Sequence, residues 1–168
     1  GIGPINTFPN VGAGDRFTFA GVSTGASDLT YTMAAIFFVT TVSGSAQWIL
    51  QGSTAANGVG LNLAATTGIL NITIPGASSP SAGTAILANV PYFVAASGNQ
   101  SIPRQNYVVA RLDNGRVIGT TSATAGAPTA NDGVMIIGNR STLVLPLLGG
   151  LAASMYSTQF FSMQYLLE

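Results

Sequence analysis

The chain has 168 residues and a mass of 17.0 kDa, 47% of them hydrophobic and only 6% charged, so it can bury a sizeable core and lacks the charge-rich signature of disorder. Five arginines (Arg16, Arg104, Arg111, Arg116, Arg140) balance five acids to a formal net charge of zero, which excludes the clustered cations that phosphate-backbone binding requires. With no Cys and no His, disulfides, thiolate or imidazole metal ligands and every Ser-His or Cys-His catalytic arrangement are excluded as well.

Short apolar or alternating runs, rich in β-branched residues and separated by Gly, Asn, Ser and Pro, predict an all-β chain. Strands are expected at Arg16 to Val22, Tyr31 to Val42, Ala46 to Gln51, Gly58 to Ala64 and Gly68 to Ile74, and then at Tyr92 to Ser97, Gln105 to Leu112, Arg116 to Ser122, Val134 to Gly138 and Gly150 to Ser157. Tyr31 to Val42 is apolar on both faces around Ile36, Phe37 and Phe38, the pattern of a central strand covered on both sides. Leu70, Ile72 and Ile74 alternate with Asn71 and Thr73, so that strand has one wet face. Gly76 to Gly83 reads as a surface loop. Asp113-Asn114-Gly115 and Asn131-Asp132-Gly133 carry the residues that tolerate positive φ and read as turns. At the end of the chain Ser162 is placed to cap a short helical turn bearing Met163, Leu166 and Leu167. No composition shift marks a linker, so residues 1–168 are expected to form one domain.

The longest clean apolar run, Met33 to Val39, is much shorter than the roughly 18 residues of a membrane span. The chain opens on Gly1 without a basic start followed by an apolar stretch, so no signal peptide is expected in this form.

In the second half, Val90-Pro91-Tyr92-Phe93-Val94-Ala95-Ala96-Ser97 is followed by Tyr107-Val108-Val109-Ala110-Arg111-Leu112-Asp113-Asn114-Gly115. Then come Ile136-Ile137-Gly138-Asn139-Arg140, Gly150-Leu151-Ala152-Ala153 and Gln164-Tyr165-Leu166-Leu167. In this order the pieces resemble the concanavalin A-like lectin and laminin-G-like superfamily, in the variant seen in phage and bacterial proteins, over roughly Ala34 to Glu168. The resemblance implies a jelly-roll sandwich of two antiparallel sheets, in agreement with the strand count. It does not imply a ligand, because one fold hosts many functions. Calcium-dependent members cluster carboxylates, whereas here Asp113 and Asp132 stand alone in their turns.

A glycosidase needs two carboxyl groups flanking the scissile bond. The only acids are Asp15, Asp28, Asp113, Asp132 and Glu168, and the Glu-x-Asp-x-x-Glu pattern of related jelly-roll glycosidases is absent. The Asp residues read as turn or cap formers, so no catalytic residue, metal or cofactor is expected. Gly12-Ala13-Gly14 and Gly58-Val59-Gly60 precede no helix and no Lys, so they read as strand-end turns and not as phosphate loops. Sugar recognition uses aromatic platforms beside amides, which makes Trp48, Tyr92, Tyr107 and Asn106 the candidate ligand residues, although Trp48 lies in an apolar strand and reads first as core. Arg111, Arg116 and Arg140 read as solvated side chains or intersubunit pairs.

The chemistry-poor composition and the resemblance together predict a non-enzymatic structural or interaction module of a virion or other extracellular assembly, such as a phage decoration, fibre or tail-associated protein. The alternative is a carbohydrate-binding adhesion domain with surface glycans as partners. Near-zero charge tolerates close subunit contact, and Leu143, Val144, Leu145, Leu147 and Leu148 around Pro146 form a candidate exposed patch. A homo-oligomer, or contact with other virion proteins, is therefore expected.

Overall fold

The computed structural model describes residues 6–8, 17–20, 30–42, 44–51, 60–73, 81–99, 104–123, 134–139, 147–157 and 159–167. They form two six-stranded antiparallel sheets, the jelly-roll sandwich that the strand pattern predicts. The first sheet contains β1 (Asn6–Phe8), β3 (Thr30–Val39), β8 (Tyr92–Asn99), β9 (Arg104–Arg111), β10 (Val117–Ala123) and β12 (Gly149–Ser157), in the order β1-β12-β3-β8-β9-β10. The second contains β2 (Phe17–Ala20), β4 (Gln47–Gln51), β5 (Gly60–Leu63), β6 (Ile69–Thr73), β7 (Ser81–Ala85) and β11 (Val134–Ile137), in the order β2-β11-β4-β5-β6-β7. Among the described residues the one helix is α1 (Met163–Leu167). No helix among the described residues is long and apolar enough to cross a membrane.

Period-two alternation decides which side chains enter the core. In β3 the inward row is Tyr31, Met33, Ala35, Phe37 and Val39, all buried. It meets Tyr92, Val94 and Ala96 of β8, Tyr107 and Val109 of β9, and Leu61, Leu63, Leu70 and Ile72 of the second sheet in one hydrophobic cluster. The Phe37 and Tyr92 rings stack with centroids 6.1 Å apart. β3 is central, as expected, but its outer face is covered only in part: Thr32 is buried, whereas Ala34, Ile36 and Phe38 are half-buried.

Gln47 is wholly buried yet satisfied. Its amide nitrogen donates to the Thr41 carbonyl at 2.7 Å and its oxygen accepts from the Leu148 amide at 2.8 Å, tying two connections to β4. At the β9–β10 hairpin Gly115 adopts φ 67°, and the Arg116 amide donates to the Asn114 side chain at 3.0 Å, so Asp113-Asn114-Gly115 forms the expected turn. Arg111 closes on Asp113 through two contacts of 3.0 and 2.5 Å, and the guanidinium holds the Asp113 carboxyl below the ordinary carboxylate range.

Two strands escaped the sequence pattern. β7 begins inside the segment expected to be a loop, because Ser-Ala-Gly-Thr-Ala has little strand propensity and pairs only at the edge of its sheet, with β6. β1 has three residues and pairs only with residues 149–151. The turn expected at Asn131-Asp132-Gly133 lies outside the described residues.

The leucine patch expected at the surface is corrected in part. Leu147 is 0% exposed and belongs to the core, with its amide donating to the Gly138 carbonyl at 2.7 Å. Leu148 is half-buried, its backbone held by Thr40 and Gln47. Pro146 interrupts any regular alternation here, so the sequence gives no parity from which to read these side chains inward. Leu143, Val144 and Leu145 lie outside the described residues.

Candidate functional site

The outer face of the first sheet is built in rows, because residues in register on neighbouring antiparallel strands share a face. One row is polar: Thr32 pairs with Ser97, and Ser97 pairs with Asn106. The chain crosses the sheet above this row at residues 159–161. The Thr32 hydroxyl donates to the Gln159 carbonyl at 2.6 Å, the Phe161 amide donates to the Ser97 hydroxyl at 2.7 Å, and the Asn106 amide donates to the Phe161 carbonyl at 3.4 Å. The Thr32 and Ser97 hydroxyls are themselves 2.8 Å apart. The strap then turns into α1, where the Tyr165 amide donates to the Ser162 hydroxyl at 3.3 Å, which is the predicted cap.

The next rows are apolar. Ala34 pairs with Ala95 and Ala95 with Val108; Ile36 pairs with Phe93 and Phe93 with Ala110. These residues floor a groove of about 660 Å³ between the sheet and α1, within the ordinary size range of ligand sites. One wall carries the Phe161 and Tyr165 rings, 4.6 Å apart and tilted by 40°. Tyr165 is 62% exposed, and Val117, Met155 and Leu167, which also line the groove, are exposed by 46%, 42% and 50%. A monomeric surface seldom gathers so many large apolar side chains without a partner for them.

None of the four predicted ligand residues offers a platform to solvent. Tyr92 is 1% exposed and its hydroxyl accepts from the Leu87 amide at 2.9 Å. Tyr107 is buried in the core, where burial pushes its phenol above the ordinary range. Trp48 is buried, and its ring fills the space beside Gly60, where a Cβ would collide with it. Asn106 alone lies on the groove's face, and it is spent on the strap. The structure brings together instead Phe93, Phe161 and Tyr165. Strand parity carried part of that signal: Tyr92 and Val94 point inward, so Phe93 between them points out.

The described acid at this end of the sandwich, Asp113, is closed on Arg111. Asp15, Asp28, Asp132 and Glu168 lie outside the described residues, among which no group of three or more His, Cys, Asp or Glu gathers as metal ligands.

No family model and no curated protein matches the sequence. Solved structures do. A proposed carbohydrate-binding protein from Bacteroides ovatus ATCC 8483 superposes with TM-score 0.71 at 15% identity, over 97% of this chain and 45% of that one. The heptameric SAP-like pentraxin of Limulus polyphemus gives 0.65 at 15% identity, over 95% of this chain and 78% of that one. The CBM40 of a Ruminococcus gnavus IT-sialidase, bound to α2,3-sialyllactose, gives 0.62 at 15% identity, over 82% and 80%. Laminin LG domains and glycosidases share the fold as well. The chain therefore has the concanavalin A-like, laminin-G-like jelly-roll fold; at these identities the likeness extends to fold alone.

Proposed function

We propose that this chain is a carbohydrate-binding domain that takes its ligand in the outer groove of the first sheet. The observation that carries the reading is the Phe161–Tyr165 pair, with Tyr165 62% exposed above an apolar floor. A tyrosine ring offers an apolar face to the C–H side of a sugar and a hydroxyl to its polar edge. The reading is supported by the fold's occurrence in a CBM40 bound to a sialylated sugar. The described groove residues are apolar and aromatic with no carboxylate among them, which supports binding of a sugar more than cleavage of a glycosidic bond. Such a domain would work outside the cell or on a particle surface. A glycan-array screen of the domain and of Tyr165→Ala tests this: a hit lost in the variant supports it, and no hit at high micromolar concentration contradicts it.

A second reading, a structural module of a virion or other extracellular assembly, is favoured by the exposed Val117, Met155 and Leu167. On that reading a neighbouring subunit covers the groove. The assembly would then persist between about 0.1 and 1 M salt, because screening leaves apolar burial intact. A monomer at tens of micromolar by sedimentation contradicts it.

A further inference from the structure

We infer that the groove selects neutral oligosaccharides that present a flat, unsubstituted ring face, and rejects acidic ones; this rests on the glycan reading above and narrows it. Of the described residues lining the groove none is charged, and the side-chain polar groups among them are the Ser154 and Tyr165 hydroxyls. The polar row that could have served a ligand is already engaged by the chain's own strap, since Thr32, Ser97 and Asn106 bond to Gln159 and Phe161. Nor does Arg111 face the groove. It stands in register with Tyr92, whose side chain points into the core, and it is held by Asp113. Arg116 is exposed and does not line the groove.

A carboxylate or sulfate brought into this groove would lose part of its hydration and meet no counter-charge, which is strongly unfavourable. A neutral pyranose loses little. Its ring C–H face lies against the half-buried Ala34, Ile36, Phe93 and Ala110, while its hydroxyls stay toward water and Tyr165. The occupant that fits is a neutral chain of sugar rings such as a β-linked glucan, manno- or chito-oligosaccharide.

Isothermal titration with neutral hexaoses of these three types and with hexagalacturonic acid tests the inference, on the domain and on Tyr165→Ala and Met155→Arg. A neutral hexaose should bind, with affinity changing less than about twofold between 0.1 and 1 M NaCl. It should lose about tenfold in Tyr165→Ala. Hexagalacturonic acid should bind at least about tenfold more weakly, and Met155→Arg should narrow that gap by placing a cation at the rim. If the acid binds as tightly as the neutral sugars and loses affinity in Tyr165→Ala, the inference is overturned while the glycan reading stands. Should neither class bind, both are overturned.

Discussion

The Ser97 hydroxyl accepts a 2.7 Å hydrogen bond from the amide of Phe161, 64 positions further along the chain. That bond sits on the outer face of β8 and decides how the strap crosses the sheet, and so where the groove begins. Ser97 is 0% exposed. Ser97→Ala should cost about 1 to 3 kcal/mol, because the Phe161 amide is left without its partner in a dry place. Denaturant unfolding measures the loss, and hydrogen exchange at Phe161 should accelerate while Val94 and Val109 remain protected. Unchanged exchange at Phe161 would show that the strap does not depend on this bond.

Phe37 and Phe38 are adjacent and face opposite ways. Phe37→Ala should cost about 3 to 5 kcal/mol, since its ring is 1% exposed and stacked on Tyr92. Phe38→Ala, on the half-buried outer face, should cost about 1 to 2 kcal/mol. Equal costs would contradict the assignment of faces along β3.

Gly149 pairs with Val39 across β12 and β3, and a Cβ there would run into the Phe38 carbonyl oxygen. The obstacle is backbone at the middle of a sheet, so it cannot rotate aside. Gly149→Ala should destabilise by about 3 kcal/mol or more. Gly44→Ala meets nothing within 4 Å and carries only the strain of φ +94°, about 1 to 2 kcal/mol. Thermal melts of the two variants should separate clearly.

Tyr31 presents a buried hydroxyl with no hydrogen-bond partner among the described residues. Burial first, and then the neighbouring Tyr156, push its phenol above the ordinary range. In the unfolded chain it ionises near pH 10, so above that pH the unfolded state holds fewer protons and stability falls as pH rises. Tyr31→Phe removes this contribution and the unpaired hydroxyl together. It should leave stability at pH 7 unchanged or raise it by about 1 kcal/mol, and it should flatten the alkaline fall. A variant less stable at pH 7 would mean that the hydroxyl has a partner.

Short apolar or alternating runs bounded by turn residues made most of the fold legible. β6 falls within a few residues of its expected bounds because Leu70 and Ile72 alternate with Asn71 and Thr73, and β3, β8 and β9 do so because apolar, β-branched and aromatic runs there end at turn-forming residues. β1 and β7 were illegible because pairing at a sheet edge, not side-chain propensity, holds them in place. The site was harder. Aromatic residues are the expected sugar platforms, yet Tyr92, Tyr107 and Trp48 share parity or packing with core residues and are buried for that reason. The groove depends on Phe161 and Tyr165 being carried back over β8 and β9 by three long-range hydrogen bonds, a juxtaposition that no local pattern encodes.

The central claim is the location of the ligand, and an NMR titration with a neutral oligosaccharide tests it most directly. The alanine methyls at Ala34, Ala95 and Ala110 and the ring of Tyr165 should shift together and saturate with one constant, while Asn62 and Asn71 on the second sheet stay still. Shifts centred on Asn62, Asn71 and Trp48, with the groove methyls unmoved, would contradict the account.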